Sequence, residues 1–553
     1  MKLSGAQIVL ECLKEQAVDT IFGYPGGAVI PLYDALYDNF DRFTHIITAH
    51  EQGAVHSADG YSRSTGKVGV CFATSGPGAT NTITGIATAF LDSVPLVVFT
   101  GQVPRSLLGK DSFQEVDITG ISLPITKHNY LVEDVNDLAN IIREAFHTAK
   151  SGRPGPVLID IPKDIFLETT YYDSNYNDDK YGDASVAEEQ LLEKAADIIN
   201  NSLKPVIYAG GGVVISDAAE ELYKFSQQAN IPVVNTLMGL GNYPREDSLS
   251  LGLVGMHGFR EANLAVTNSD LVIAVGARFS DRVVGNVNKF APQAKVIHID
   301  IDRTEISKNK KANLSIIGDV KEILGKLIDD ISYKDRFEWF EEIESWKQNN
   351  VLKNKEFTPK NIIETANRIL GEDTIVVTDV GQHQMWTAQY WQFSKPRSFL
   401  TSGGLGTMGY GLGAAIGAQI AYPERRVLHI TGDGSFRMNC NELATVSKYK
   451  LPTITLLLNN STLGMVRQWQ KLFKNGRYSE TDISQDVDHV KLAGAYGLDG
   501  YKVEDISSLA DILEKVSKSG RAAIIDCKID KDECVYPIVP PGKPIDNLIE
   551  GKE

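Results

Sequence analysis

Short unbroken runs of Val, Ile and Leu recur along the chain, each followed by a stretch with helical spacing. They stand at Val68–Thr74, Pro95–Gly101, Val157–Ile161, Pro205–Tyr208, Leu271–Val275, Val296–Ile299, Ile375–Thr378, Val427–Thr431 and Thr453–Leu458. None alternates apolar with polar positions, and strands of that kind are buried on both faces. The pattern therefore predicts parallel sheets covered by helices. Met1–Gln16 reads as an amphipathic helix with Ser4 as its N-cap. Tyr171–Ser185 is polar and poor in aliphatic residues, as a surface linker is, and a second break falls within Glu341–Pro359. The expectation is an α/β chain of three doubly wound parallel-sheet domains, 1–170, 186–340 and 355–545. The first and third are alike in plan, and the tail Tyr536–Pro544, with four prolines, is expected to be extended.

Composition narrows the class without naming a chemistry. The 553 residues suit three or four domains at roughly 150 residues each. Apolar content of 42% and charged content of 23% are those of a soluble globular protein. A net charge of −16 argues against nucleic acid or an anionic membrane as partner, while leaving open a small anionic substrate met by a local basic cluster. No apolar stretch approaches the roughly 20 residues of a membrane helix, and no basic-then-apolar leader is visible, so a cytoplasmic location is expected. Cys12, Cys71, Cys440, Cys527 and Cys534 are scattered with no Cys-x-x-Cys pair and read as small buried hydrophobes in a reducing compartment.

Chemistry enters at Gly432-Asp433-Gly434-Ser435. The sequence reads as strand Arg426–Thr431, this tight turn, helix Phe436–Tyr449, then strand Thr453–Leu458 ending at Asn459-Asn460. In an open parallel sheet, ligands sit at the carboxyl ends of strands, and a helix N-terminus offers N–H groups to phosphate. Magnesium takes one or two protein oxygens plus diphosphate oxygens. Asp433, Asn460 and the backbone carbonyl of Thr462 form that donor set. Gly-Asp-Gly alone is a weak signal, since most such triplets are surface turns; the Asn pair reaching 27 residues beyond Asp433, flanked by strand, helix and strand, is what makes it specific. With that spacing the chain resembles the thiamine-diphosphate enzymes.

The resemblance implies a carboxyl group beside the cofactor's aminopyrimidine, the base that removes the thiazolium proton. Glu51, following the strand-like Thr44–Ala49 and opening His50-Glu51-Gln52-Gly53-Ala54, is the candidate. As a residue in isolation it is an ordinary acidic group in a helix's first turn.

Over nearly its whole length the chain resembles the catalytic large subunit of acetohydroxyacid (acetolactate) synthase. The matching segments are Phe22–Gly27, Ala73–Asn81, Phe113–Glu115, Ile161–Asp164, Gly255–Gly258, Gly276–Gly285, Thr401–Gly411, Gly464–Gln470 and Val539–Gly542. The resemblance implies decarboxylation of pyruvate and addition of the resulting hydroxyethyl carbanion to a second 2-oxoacid. Pyruvate gives 2-acetolactate and 2-oxobutyrate gives 2-aceto-2-hydroxybutyrate, in branched-chain amino-acid synthesis. It implies that the three domains bind the pyrimidine, a flavin and the diphosphate in turn. Arg282 would receive the acceptor carboxylate, Trp469 would line the acceptor pocket, and Gln114 and Lys163 would stand near substrate entry. Gly381, Gln382 and His383 would touch the diphosphate with Gly432, Gly434 and Ser435. Gly406, Met408 and Met465 would line the cofactor, Met408 propping its bent form.

FAD contacts are implied at Arg153, Gly210, Gly211, Gly212, Thr236, Leu237, Met238, Gly255, Met256, His257, Gly276, Ala277, Arg278, Arg282, Val283, Asp300, Ile301, Gly318 and Asp319. The net reaction is not a redox one, so that flavin would be structural. A homodimer or homotetramer and a separate regulatory small subunit belong to the same picture.

Some positions depart from the family pattern. Ser280 stands for a usual Asp, which loosens one flavin contact. Gly413 stands for a common Pro, and Ser461 and Thr462 for more usual acidic or polar residues. A flavin-dependent pyruvate oxidase, a non-oxidative 2-oxoacid decarboxylase and a non-catalytic cofactor-binding scaffold are the alternatives.

Overall fold

The computed structural model describes residues 1–174, 188–347, 357–484 and 487–551. The expected linkers lie in part outside these residues. Of the first, Tyr171 is the last residue of a strand and Tyr172 is buried under the Arg143 guanidinium, so only the portion past Ser174 lies outside them. Of the second, Trp346 still ends a helix and Pro359 begins the next.

The chain opens with β1 (Lys2–Ser4), and Ser4 closes a capping box on the helix Gly5–Glu15. The expected N-terminal helix is thus shortened by a strand. Six strands follow: β2 (Thr20–Gly23), β3 (Thr44–Ile47), β4 (Gly69–Ala73), β5 (Leu96–Gln102), β6 (His128–Leu131) and β7 (Pro156–Pro162). β8 (Thr169–Tyr171) returns antiparallel to β1. The middle region carries β9 (Pro205–Ala209), β10 (Val233–Asn235), β11 (Ser250–Leu253), β12 (Leu271–Val275), β13 (Lys295–Asp300) and β14 (Leu314–Ile317). The last carries β15 (Ile375–Thr378), β16 (Phe399–Leu400), β17 (Val427–Gly432), β18 (Ile454–Asn459), β19 (Asp499–Val503) and β20 (Ala523–Lys528). Each set forms one six-stranded sheet with every strand pair parallel. β4, β5, β7, β9 and β12 are buried at every position, as their unbroken apolar runs require.

The strand orders are informative. The first sheet runs β3-β2-β4-β5-β7-β6 and the third β16-β15-β17-β18-β20-β19, the same order element for element. The middle sheet runs β11-β10-β9-β12-β13-β14, the 3-2-1-4-5-6 order of dinucleotide-binding folds. The chain crosses to the other side of its first strand between β2 and β4, β9 and β12, and β15 and β17. Ligand crevices form there, at the carboxyl ends of the strands.

The first and third domains meet through the helices Glu51–Thr65 and Tyr410–Ala421. They cross almost backbone to backbone: a methyl on Gly417 would sit 1.9 Å from the Ser57 carbonyl oxygen, and one on Gly60 2.1 Å from that of Ala414. Gly413, the departure from the family's proline, belongs to this contact, since its methyl would fall 2.7 Å from His56 Cβ.

Two expectations need correction. The helix Phe436–Tyr449 is two helices, Asp433–Phe436 and Leu443–Tyr449, joined through a 3-10 turn at Cys440–Glu442. Asp433 is therefore already helical. The break lets Asn439 donate from Nδ2 to the Gly409 carbonyl at 3.1 Å. The tail is not simply extended: Ile538 pairs with Ile549 and Lys543 N–H turns back onto Pro540. It lies on the middle domain, with Val539 N–H donating to Met256 O and Asn286 N–H to Lys543 O.

Candidate active site

At the carboxyl edge of the first sheet, β3 leads into the helix Glu51–Thr65, capped by His50, whose Nδ1 accepts from Gln52 N–H. Glu51 is buried, its Oε2 accepting from Asn81 Nδ2 at 3.0 Å. A methyl on Gly78 would come within 3.3 Å of Oε1, so the Ser75–Gly78 turn leaves room for the carboxylate. Gln114 leans over that turn. It has φ +61° and Gly76 has φ +60°, and a methyl on Gly76 would strike the Gln114 backbone at 2.9 Å. Lys163, half-buried, opens the short helix after β7.

In the third sheet, β17 and β18 are neighbours with Gly432 opposite Leu458, so Asp433 and Asn460 stand at adjacent strand ends. Asp433 is buried with Oδ1 unpartnered, and burial pushes its carboxyl up to about 6. A bound divalent cation would reverse that shift. Asn460 Oδ1 accepts from Thr462 N–H at 3.2 Å, and Thr462 Oγ1 is itself buried without a partner. His383 lies beside Gly432, its Nε2 also unpartnered; burial holds its imidazole down at about 4, neutral at pH 7. Orphaned carboxylate, hydroxyl and imidazole atoms converging at a strand-end crevice fit a magnesium diphosphate. Among the described residues no three His, Cys, Asp or Glu side chains cluster as a protein-only metal site would require. Ser435 Oγ accepts from Gly409 N–H at 3.1 Å, and Met408 Cε lies 3.9 Å from where a Gly434 methyl would be. Gly406 is left-handed at φ +71° in the same loop, and Met465 packs half-buried against the third-domain core. Gln382 is engaged by the protein: its Oε1 accepts from Asn460 Nδ2 and its Nε2 donates to Gln468 and to Glu533 O.

Several groups that hold this site carry no local sequence signal. Asn459, the other member of the Asn pair, donates from Nδ2 to Asp526 at 3.0 Å, and Asp526 also takes His489 Nδ1 at 2.9 Å. Lys528 donates to Asn459 Oδ1 and Ser461 Oγ. These residues, with Asp433, Arg437 and Lys502, line a cleft of about 370 Å³. Beneath the Gly-Asp-Gly turn, buried Asp379 accepts from His429, Thr431 Oγ1 and Gly411 N–H.

In the middle sheet most of the expected flavin residues stand at or just past strand ends. Gly210–Gly212 follow β9, Thr236–Met238 β10, Gly255–His257 β11, Gly276–Arg278 β12, Ile301 β13, whose last residue is Asp300, and Gly318–Asp319 β14. The glycine triplet is explained by its own packing: a methyl on Gly210 would meet Gly276 O at 2.2 Å and one on Gly212 the Gly276 Cα at 2.6 Å. Asn235 Oδ1, His257 Nδ1 and His298 Nδ1 are buried and unpartnered along this edge. Arg153 spans from the first domain, donating to Ser93, Asp302 and Glu305. Asp319 caps the helix Val320–Asp330. Ser280 precedes the turn Asp281–Val284, which contains Arg282 and buried Val283, and makes no side-chain cap.

Arg282 and Trp469, from different domains, come together. The guanidinium lies 5.7 Å above the indole, its side chain 62% exposed, while Trp469 Nε1 is buried and unpartnered. Met256 N–H donates to Arg282 O, so the Gly255–Gly258 segment fixes this backbone.

The loop Thr401–Gly409 joins all three domains. Asp92, buried at the end of the helix Ile83–Asp92, takes Gly403 N–H at 3.0 Å, Gly404 N–H at 2.7 Å and Arg63 at 2.9 Å. Arg63 also pairs with buried Asp59, which takes Tyr410 Oη at 2.6 Å. Thr88 and Thr407 share a 2.7 Å hydrogen bond, and Met238 abuts Gly403.

Comparison with known proteins agrees with this architecture. Residues 3–121, 192–327 and 379–527 match the thiamine pyrophosphate enzyme N-terminal TPP binding, central and C-terminal TPP binding domains. The chain is 45% identical to a probable acetolactate synthase large subunit of Methanocaldococcus jannaschii, over 99% of the chain and 95% of that protein. It is 46% identical to the acetolactate synthase large subunit of Buchnera aphidicola, covering 97% and 96%, and 43% identical to the isozyme 3 large subunit of Escherichia coli, covering 99% and 98%. Shared domains, shared length and this level of identity place the chain in the acetolactate synthase large-subunit family of thiamine diphosphate enzymes.

Proposed function

We propose that the protein decarboxylates pyruvate and joins the remaining two-carbon unit to a second 2-oxoacid, giving 2-acetolactate from pyruvate and 2-aceto-2-hydroxybutyrate from 2-oxobutyrate. Thiamine diphosphate supplies, when bound, the electron sink for the carbon that loses carbon dioxide. Asp433, Asn460 and the Thr462 carbonyl would hold Mg2+ with the diphosphate, and neutral His383 would offer a donor to the phosphates. Glu51 relays the proton to and from the aminopyrimidine, its buried setting keeping water from competing. Arg282 receives the acceptor carboxylate as a planar fork on a planar anion, and Trp469 packs on its alkyl end. Gln114 and Lys163 guide the anionic substrate inward. FAD occupies the strand ends of the middle sheet as a structural group, supported by the 3-2-1-4-5-6 order and the orphaned Asn235, His257 and His298 atoms. The enzyme works as a homodimer or homotetramer with a regulatory small subunit, in the cytoplasm; no helix among the described residues is long and apolar enough to cross a membrane.

The observation that carries the carboligase reading is Arg282 seated 5.7 Å over the Trp469 ring, a cation set beside an apolar surface from another domain. The test is turnover of pyruvate with magnesium and thiamine diphosphate, with and without FAD. Acetolactate, read as acetoin after acid treatment, is expected. Acetaldehyde would mean a decarboxylase, acetate or acetyl phosphate with peroxide an oxidase, and no turnover a scaffold. Glu51→Gln is expected to bind cofactor and lose nearly all turnover; full activity would refute the relay.

A further inference from the structure

The connection between β3 and the helix that begins at Glu51 is held from another domain. Glu442 lies in the 3-10 turn Cys440–Glu442 of the third domain and is fully buried. Its carboxylate accepts Ala49 N–H at 3.1 and 3.2 Å and His50 N–H at 3.0 Å, and Thr445 Oγ1 donates to it at 2.6 Å. Tyr449, seven residues on, accepts Ile47 N–H at 2.8 Å and donates to His45 O at 3.3 Å. The backbone leading to Glu51 therefore takes its hydrogen bonds from two side chains about 400 residues away. Gly53 makes the approach possible: a methyl there would lie 2.1 Å from Glu442 Oε1. Every contact made by this carboxylate is with a donor, the geometry of an ionised acceptor. On balance burial raises its carboxyl above the usual range, the Thr445, Ala49 and His50 donors offsetting only part of that. Burying a carboxylate is costly unless donors satisfy it, and backbone N–H groups and a threonine hydroxyl do so for Glu442. Here it fixes the two residues before Glu51.

We propose that Glu442 is a positioning residue for the proton relay, setting the height and direction of Glu51 at its helix entrance. The inference rests on the reading of Glu51 as the relay. A carboxylate displaced by a fraction of an ångström transfers protons badly, while substrate binding elsewhere is untouched. A 1 Å misplacement costs up to about a hundredfold in rate.

The test compares Glu442→Gln and Gly53→Ala with wild type and Glu51→Gln. Glu442→Gln turns an amide group toward donors; Gly53→Ala keeps the carboxylate but pushes it away from the Ala49 and His50 N–H groups. In the cofactor-free protein, amide hydrogen exchange over residues 47–54 is expected to quicken about tenfold in both variants. With thiamine diphosphate and magnesium bound, exchange of the thiazolium C2 proton into D2O, read by NMR after acid quench, is expected to slow ten- to about a hundredfold. KM for pyruvate should stay within about twofold. C2 exchange within about twofold of wild type in both variants, while Glu51→Gln has lost it, would overturn the role of Glu442 alone. Wild-type C2 exchange in Glu51→Gln would overturn the relay and this inference together. If Glu442→Gln does not fold, Gly53→Ala decides.

Discussion

Replacing Asp92 by Asn tests how the cofactor-side loop is held. Asp92 accepts three hydrogen bonds in a buried setting: Gly403 N–H and Arg63 Nη2 on Oδ2, and Gly404 N–H on Oδ1. Asn keeps one acceptor oxygen and turns an amide N–H2 toward a donor, so at least one bond to the charge is lost and a second is strained. Hydrogen bonds to charged groups contribute about 1.5–3 kcal/mol each. Breaking a buried ion pair costs about 3–5 kcal/mol when the remaining charge is left uncompensated. Arg63 still has Asp59 at 2.6 Å, so the loss belongs at the lower end, about 3 kcal/mol. Because the loop carries Gly406 and Met408, part of this appears as weaker cofactor binding, with about 1.4 kcal/mol for each tenfold. Thiamine diphosphate affinity is therefore expected to fall by ten- to about a hundredfold. Urea unfolding should also begin at lower denaturant. The assay is titration of cofactor into metal-loaded protein by calorimetry, beside urea denaturation of both forms. Unchanged affinity and an unchanged urea midpoint would refute the claim that Asp92 holds the loop.

Gly417→Ala places a methyl 1.9 Å from the Ser57 carbonyl, and as backbone is what it meets, the two helices must separate. A cost of about 3 kcal/mol is expected, and a thermal midpoint equal to wild type would contradict it. Asp379 is held well below the ordinary carboxylate range: burial would raise it, but His429 and the Gly411 N–H outweigh that. A depressed carboxyl contributes stability that is present above its unfolded value near 3.9 and lost as pH falls through the folded one. Asp379→Asn should then show less pH dependence of urea stability below about pH 4 than wild type, and an equal slope would count against the pairing. Trp469→Leu should lower the preference for 2-oxobutyrate over pyruvate, each methylene being worth about 1–3 kcal/mol. An unchanged product ratio in competition would remove Trp469 from the acceptor pocket.

What was legible in the sequence was whatever is written in consecutive residues. The buried strands announce themselves as apolar runs, and the Gly-Asp-Gly turn with its Asn pair names a cofactor because both lie at the ends of such runs. Strand order is not written locally, so the equivalence of the first and third sheets was visible only as a similar sequence of elements. The break in Phe436–Tyr449 goes with the Asn439 bond to Gly409, a contact that no helical periodicity encodes. Glu442, Asp92 and Asp526 act on backbone or side chains dozens to hundreds of residues away. Each looks like an ordinary acidic residue until the fold brings its partners. The Asn pair shows the same limit: spacing singles out Asn460 as the ligand, but only the structure shows that Asn459 donates to Asp526 and Asn460 to Gln382.

The loop Thr401–Gly409 has a consequence for recombination between relatives. Its backbone is read by Asp92 from one domain and crowded at Gly403 by Met238 from another, while Thr407 is tied to Thr88. A chimera that exchanges any single domain at its linkers changes one face of this junction and keeps the other two. Compatibility of such chimeras is therefore decided by whether residues 88, 92, 238 and 401–409 arrive as a matched set, more than by how well each donor domain folds alone.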